Sequence, residues 1–281
     1  MKQVVLAAIL SIAAESANVR ARLAPETTFS YADYALLLKA TVDDDGWVDY
    51  AAIEADGRAL EGYLRALASL QRSIFETWNE DQKLAFWINA YNGLTLKLIA
   101  DHYPIKSGFL KSLLYPSNSI RQIPGAWDRL TFDVMGEQLT LDHIEHGILR
   151  AEFKDPRIHA ALVCAAVSCP PLRNEPYRGE TINEQLEDQT KAFLARPDGL
   201  RVDRAEGEVW VSAIFDWFAG DFVGGFGKPR RGLLSERHSS IVNFILPHVE
   251  QAEAAFLAEG AYEVKHFDYD WTLNDAGNGA N

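Results

Sequence analysis

Asn79-Glu-Asp-Gln-Lys-Leu-Ala-Phe-Trp-Ile-Asn-Ala-Tyr-Asn-Gly-Leu-Thr-Leu-Lys-Leu-Ile-Ala-Asp-His102 is the stretch on which the fold turns. Asn79 is an N-cap type, and Glu80 and Asp81 suit the positive end of a helix dipole. Leu84, Trp87, Tyr91, Leu94 and Leu98 recur on one face, with Ile88, Asn92, Thr95 and Ile99 beside them. Pro104 ends the segment. Apolar residues over so much of the circumference predict a buried, central helix. Asn89 and Asn92 interrupt it. A buried amide is costly unless fully hydrogen-bonded, so each either braces a neighbouring loop or lines a cleft.

Upstream, Tyr31, Tyr34, Leu37 and Leu38 repeat at helical spacing, and Asp43-Asp44-Asp45-Gly46 reads as a solvated turn. Downstream, Thr131–Leu141 reads as a hairpin turning at Gly136, and Val202 with Val209–Val211 as a second across Glu206-Gly207. Ile158–Val167 reads as a buried strand. Helices are expected over 143–153, 181–194, 213–222 and 239–249, a loose glycine loop at 224–227, and a last strand near Tyr262–Lys265. Helices and hairpins mix without a β-α-β rhythm. The fold class is therefore α+β: one domain with a central buried helix, two β-hairpins and a small, mostly antiparallel sheet.

The N-terminus has the pattern of a secretory signal: Lys2, an uncharged apolar run Val4–Ala14, then small residues. The expected organisation is a signal peptide over 1–17, a polar linker over 18–28, the domain over 29–274 and a polar tail over 275–281. Export to the periplasm or the exterior follows. No second stretch is long and apolar enough for a membrane helix. A net charge of −13 repels phosphate backbones, which argues against nucleic acid. The seven Trp, 14 Phe and 10 Tyr supply flat apolar surface for a core or a cleft, where a peptide, protein or glycan is the expected kind of ligand.

Chemistry concentrates in two stretches. Cys164 and Cys169, the only cysteines, lie in Ala161-Leu-Val-Cys-Ala-Ala-Val-Ser-Cys-Pro-Pro-Leu172. They admit a small-loop disulfide, a metal site or a nucleophile, and Cys164 also admits simple core packing. Upstream, His143 and His146 flank Glu145. A thiol with a pKa near 8.5 needs an imidazole to form the thiolate and return the proton, and a carboxylate or amide to hold the imidazole. The candidate catalytic set is Cys164 as nucleophile, Cys169 as the alternative, His146 as base, and Glu145 or Asn92 as orienting group. Asp142 and Glu145 also have capping-box spacing, which would make Glu145 purely structural. A Cys2His2 metal site is a third reading, and no cofactor is called for. His102, His159, His238, His248 and His266 share no spacing with these groups and read as surface or structural.

Leu84-Ala-Phe-Trp-Ile-Asn-Ala-Tyr-Asn-Gly-Leu94, Leu141-Asp-His-Ile-Glu-His-Gly-Ile-Leu149, Asp155–Leu172 and Tyr269-Asp-Trp-Thr-Leu-Asn274 resemble four ordered motifs of the domain-of-unknown-function 547 family. The resemblance runs from about Tyr31 to Asn274. Where many members carry Asn before the first cysteine, this chain has Val163. The family resemblance implies membership rather than an activity. By analogy of ingredients alone, the Cys, His and amide set is similar to that of papain-like and transglutaminase-like thiol enzymes, with His146 preceding Cys164 where papain has the reverse order. Two functions stand side by side: a thiol-dependent hydrolase or acyl transferase acting on amide bonds, and a non-catalytic module binding a peptide or glycan, its cysteines joined.

Overall fold

The computed structural model describes residues 29–108, 111–227 and 234–277. The signal and linker expected over 1–28 lie outside them, as do residues 278–281 of the tail. From Tyr31 onward the chain forms one compact unit.

Among the described residues, five α-helices precede the first strand: α1 (Ala32–Thr41), α2 (Tyr50–Ala55), α3 (Arg58–Ser69), α4 (Arg72–Phe75) and α5 (Glu80–Ala100). Helix α5 is the predicted central helix. Asn79 accepts from the Gln82 N–H while the Gln82 side chain accepts from the Asn79 N–H, a reciprocal capping box. The helix is buried continuously from Leu84 to Leu96, and α2, α3 and later α7 pack on it. Gly93 lets α3 approach: a Cβ there would lie 2.5 Å from Tyr63 Cε1, and Tyr63 in turn stacks on Tyr34 of α1 at 4.3 Å.

Strands β1 (Phe132–Val134) and β2 (Glu137–Leu139) form the first hairpin, with Met135 and Gly136 both at positive φ in its two-residue turn. A helix follows over His143–Phe153, wound with the wider π pattern. The expected Asp142/Glu145 capping box does not form. Asp142 itself has helical dihedrals and cannot reach back, and Thr140 Oγ1 accepts the His143 N–H at 3.1 Å instead.

The predicted strand over Ile158–Val167 is a second departure. Ile158–Ala161 is a one-turn helix, α6, and the rest is irregular with a single bridge from Ala166 to Leu273. Asp155-Pro156 starts the helix, with Asp155 Oδ1 accepting the Arg157 N–H at 2.9 Å. A short apolar run does not by itself distinguish strand from buried helix.

Helix α7 (Ile182–Leu194), strands β3 (Leu200–Asp203) and β4 (Glu208–Val211), helices α8 (Ala213–Trp217), α9 (Ala219–Phe226), α10 (Glu236–Ile245) and α11 (Gln251–Glu259), and strand β5 (Glu263–His266) complete the unit. The expected helix over 213–222 is thus two helices broken at Phe218, and Gly224 and Gly225 belong to α9 rather than to a loop. β3 and β4 are the predicted second hairpin. β5 joins β4 in parallel, so this three-stranded sheet is mixed. Val209, Val211 and Val264 of the sheet bury against Phe193, Phe215, Phe222, Phe244 and Ile245 in one aromatic-rich core. The architecture is α+β with two small sheets. No helix among the described residues is long and apolar enough to cross a membrane.

Candidate functional site

The amides of α5 brace the backbone. Asn92, 3% exposed, donates from Nδ2 to the Ala161 carbonyl at 2.9 Å and accepts the Val163 N–H at Oδ1 at 3.0 Å. Asn89 treats Tyr177 the same way, with 2.7 Å to its carbonyl and 2.9 Å from its N–H. Each amide mimics a peptide group and satisfies a segment that has no strand partner on that side. Asn92 therefore sits behind the cysteine segment and positions its backbone.

The C-terminal segment holds the same loop. Val167 N–H donates to the Thr272 carbonyl at 2.8 Å, Asn274 N–H to the Ala165 carbonyl at 3.2 Å, and Asp270 N–H to Ser168 Oγ at 2.9 Å. Ala165, buried and with φ of 60°, sits in the left-handed region, a conformation costly for a residue with a Cβ and sustained here by these contacts. The loop closes through a Cys164–Cys169 disulfide with a Cα separation of 6.2 Å, inside the ordinary range. Both sulfurs being bonded to each other, neither is a thiolate ligand. Among the described residues no group of three or more His, Cys, Asp or Glu side chains is arranged to hold a metal ion.

A cleft of about 310 Å³ opens beside this loop and is lined by Cys164, Cys169, His146 and Glu145, with Trp127, Trp217, Tyr269 and Trp271 among its walls. Of the five residues singled out from the sequence, Asn92 alone does not line it. Cys164 is half-buried and Cys169 is 3% exposed. The Tyr269 hydroxyl lies 3.1 Å from Cys169 Sγ and 3.2 Å from Cys164 Sγ. Burial pushes that hydroxyl's pKa well up, so it stays protonated and can donate.

On the π-helix, Glu145 accepts from the buried Tyr91 hydroxyl of α5 at 3.0 Å. Burial first, and then the Glu145 charge, hold the Tyr91 hydroxyl far above its usual titration range. Glu145 does not orient His146. That ring lies between Asp142, 3.3 Å from Nε2, and Arg150, whose Nη1 is 2.7 Å from Nδ1. With Arg150 donating to Nδ1, the proton of a neutral ring belongs on Nε2, facing Asp142. His146 thus finds its partners four residues away on either side rather than at His143.

Sequence reasoning missed the next layer. His159, read as surface or structural, is 5% exposed and lines the cleft. It stacks on Phe218 at 4.2 Å, and its Nε2 is 2.7 Å from Asp221 Oδ2. Arg150 grips the same carboxylate at 2.6 and 2.9 Å. Burial would raise the Asp221 pKa, but the hydrogen bonds from His159 and Arg150 outweigh it and hold the carboxyl well below its ordinary value. An aromatic wall faces solvent: Trp217, 48% exposed, stacks on Trp271 at 5.8 Å, and Tyr269 packs against both at 4.7 and 4.6 Å. Arg121 lies over Tyr115, Trp271 and Trp127 at 4.5, 4.8 and 5.5 Å from the ring centroids. Of these groups only His159, Tyr269 and Trp271 carried a sequence signal, their places in the third and closing motifs, Asp155–Leu172 and Tyr269–Asn274.

The motif resemblance holds over the middle of the chain: residues 75–194 match the model of a family described as "Protein of unknown function, DUF547". That span holds the first three motifs, and the closing motif lies beyond it. No match was found to a curated protein or to a solved structure.

Proposed function

With residues 75–194 carrying the DUF547 match, and that description naming no activity, we propose that the cleft is the site of a thiol-dependent hydrolase or acyl transferase acting on amide bonds, active with its disulfide reduced. One observation carries this reading: Cys164, Cys169, His146 and Glu145, from two separate segments, line one cleft beside an aromatic wall. Cys164 is the nucleophile because it is the more exposed sulfur on a loop whose backbone Asn92 holds from behind. Arg150 turns from His146 Nδ1 to Asp221 alone, and Nδ1 takes the Cys164 thiol proton while Nε2–H stays on Asp142. The thiolate attacks the carbonyl carbon, and the imidazolium protonates the leaving amine; water or a second amine then takes the acyl group. Asp142 holds the imidazole in the role first assigned to Glu145. The aromatic wall grips the chain flanking the scissile bond. The likeness to papain-like or transglutaminase-like enzymes is one of ingredients and stays part of this proposal, as does export with removal of residues 1–17.

The disulfide favours a second reading, a non-catalytic exported module whose Trp217–Trp271 wall stacks a peptide or glycan. One assay separates the two. Reduced and oxidised chain are incubated with a fluorogenic peptide-amide library. Turnover that needs reduction and is lost in Cys164→Ala supports the enzyme. Turnover surviving in Cys164→Ala refutes it, as does saturable ligand binding, independent of redox state, with no turnover in either form.

A further inference from the structure

The two sulfurs of the cleft are not equivalent. Cys164 is half-buried and open to the cleft, whereas Cys169 is 3% exposed. Polar support runs the other way. Cys169 Sγ receives the Cys164 backbone N–H at 2.9 Å and the Tyr269 hydroxyl at 3.1 Å. Hydrogen bonds of this kind stabilise a thiolate far more than a neutral sulfur, and a lower-pKa thiol leaves faster in exchange. The accessible sulfur is therefore the one without the backbone donor, and the inaccessible sulfur is the one prepared to carry charge.

We infer that the Cys164–Cys169 disulfide is a thiol–disulfide exchange couple, with Cys164 the sulfur attacked from the cleft, Cys169 the leaving sulfur, and Tyr269 the side chain that positions and stabilises the leaving thiolate. The co-reactant is an external low-molecular-weight thiol. Its thiolate forms a bond to Cys164 Sγ as the Cys164–Cys169 bond breaks, and the electron pair of that bond goes to Cys169. A second external thiolate attacks the external sulfur of the mixed disulfide and frees Cys164. Two electrons pass from two external thiols, which leave joined as a disulfide, to the protein's two cysteines. The protonated Tyr269 hydroxyl has one O–H to give. Bonded to Cys169, it stabilises the product of the first step; turned to Cys164 Sγ, 3.2 Å away, it serves the product of the second. The exchange chemistry does not rest on the amide-bond reading. Only its consequence does, that reduction frees the Cys164 nucleophile.

The full oxidised chain is treated with limiting glutathione, quenched in acid and mapped by mass spectrometry. The expected adduct is on Cys164 with Cys169 a free thiol; an adduct on Cys169, or no reduction of the folded chain, overturns the assignment. In Tyr269→Phe, which keeps the ring, reduction slows roughly three- to tenfold and alkylation of Cys169 shifts to higher pH. Unchanged rate and pH profile remove Tyr269 from the role. Should that variant not fold, the mapping of the wild-type adduct still decides the direction of attack. Neither readout uses an amide substrate, so a chain that exchanges thiols and cleaves nothing keeps this inference and loses the other.

Discussion

Two walls of the cleft are built on different physics. The cysteine loop is held by buried, uncharged hydrogen bonds: Asn92 on one side and the segment 270–274 on the other. The π-helix wall is held by charge, through Asp142, His146, Arg150 and Asp221, on side chains between 27% and 52% exposed. Buried neutral bonds have no competing water and fix atoms in place. Partly solvated ion pairs are weak and screened by salt. The loop wall is therefore the rigid one that sets where sulfur lies. The helix wall can exchange partners, which the role proposed for His146 as a proton carrier requires.

The sharpest break in that contrast comes from Asn92→Leu. It strands the Ala161 carbonyl and the Val163 N–H in the core, and we expect a loss of about 3–5 kcal/mol. Chemical denaturation measures it, and a loss under about 1 kcal/mol would mean the loop does not depend on the amide.

Asp221→Asn comes next. A carboxyl whose folded pKa is depressed contributes stability that is present above its unfolded pKa, near 4, and lost as pH falls through the lower folded value. Replacing it should cost about 1–2 kcal/mol at pH 7, after allowance for partial exposure, and flatten the acid limb of the stability–pH curve. An unchanged acid limb would show that His159 and Arg150 do not hold this carboxylate in solution.

Glu145→Gln is smaller. The amide oxygen can still accept from Tyr91, so about 1 kcal/mol of charge-assisted bonding is lost, and under the amide-bond reading turnover survives. A collapse in rate with the thermal midpoint intact would restore Glu145 as a catalytic group. The smallest effect on stability belongs to Asp142→Ala, about 0.5 kcal/mol or less because both partners are exposed. Its signature is kinetic: under the amide-bond reading the reduced chain should lose rate while its melting curve stays in place, and equal rates would leave His146 without an orienting carboxylate.

The fold was largely legible because its main signals are local. The capping residues and apolar periodicity of α5, the Gly136 and Gly207 turns and the alternation in both hairpins act over a few residues and were read correctly. Ile158–Val167 was not, since an apolar run of that length suits strand or helix equally until Asp155-Pro156 is weighed as a helix start. The capping role expected of Glu145 failed for a different reason: spacing permits a capping box, but the dihedrals of Asp142 decide whether it forms.

The sequence by itself determined the central helix, the two hairpins, the α+β class and the short list of groups able to do thiol chemistry. Tertiary structure alone decided which of them meet. Asn92 and Val163 are 71 residues apart, His159 and Asp221 62, and Cys164 and Tyr269 105. No periodicity reports pairings at such separations. They follow from how the segment 270–274 lies along the cysteine loop and how α9 brings Asp221 to His159 and Arg150, and those arrangements are set by packing of the whole core.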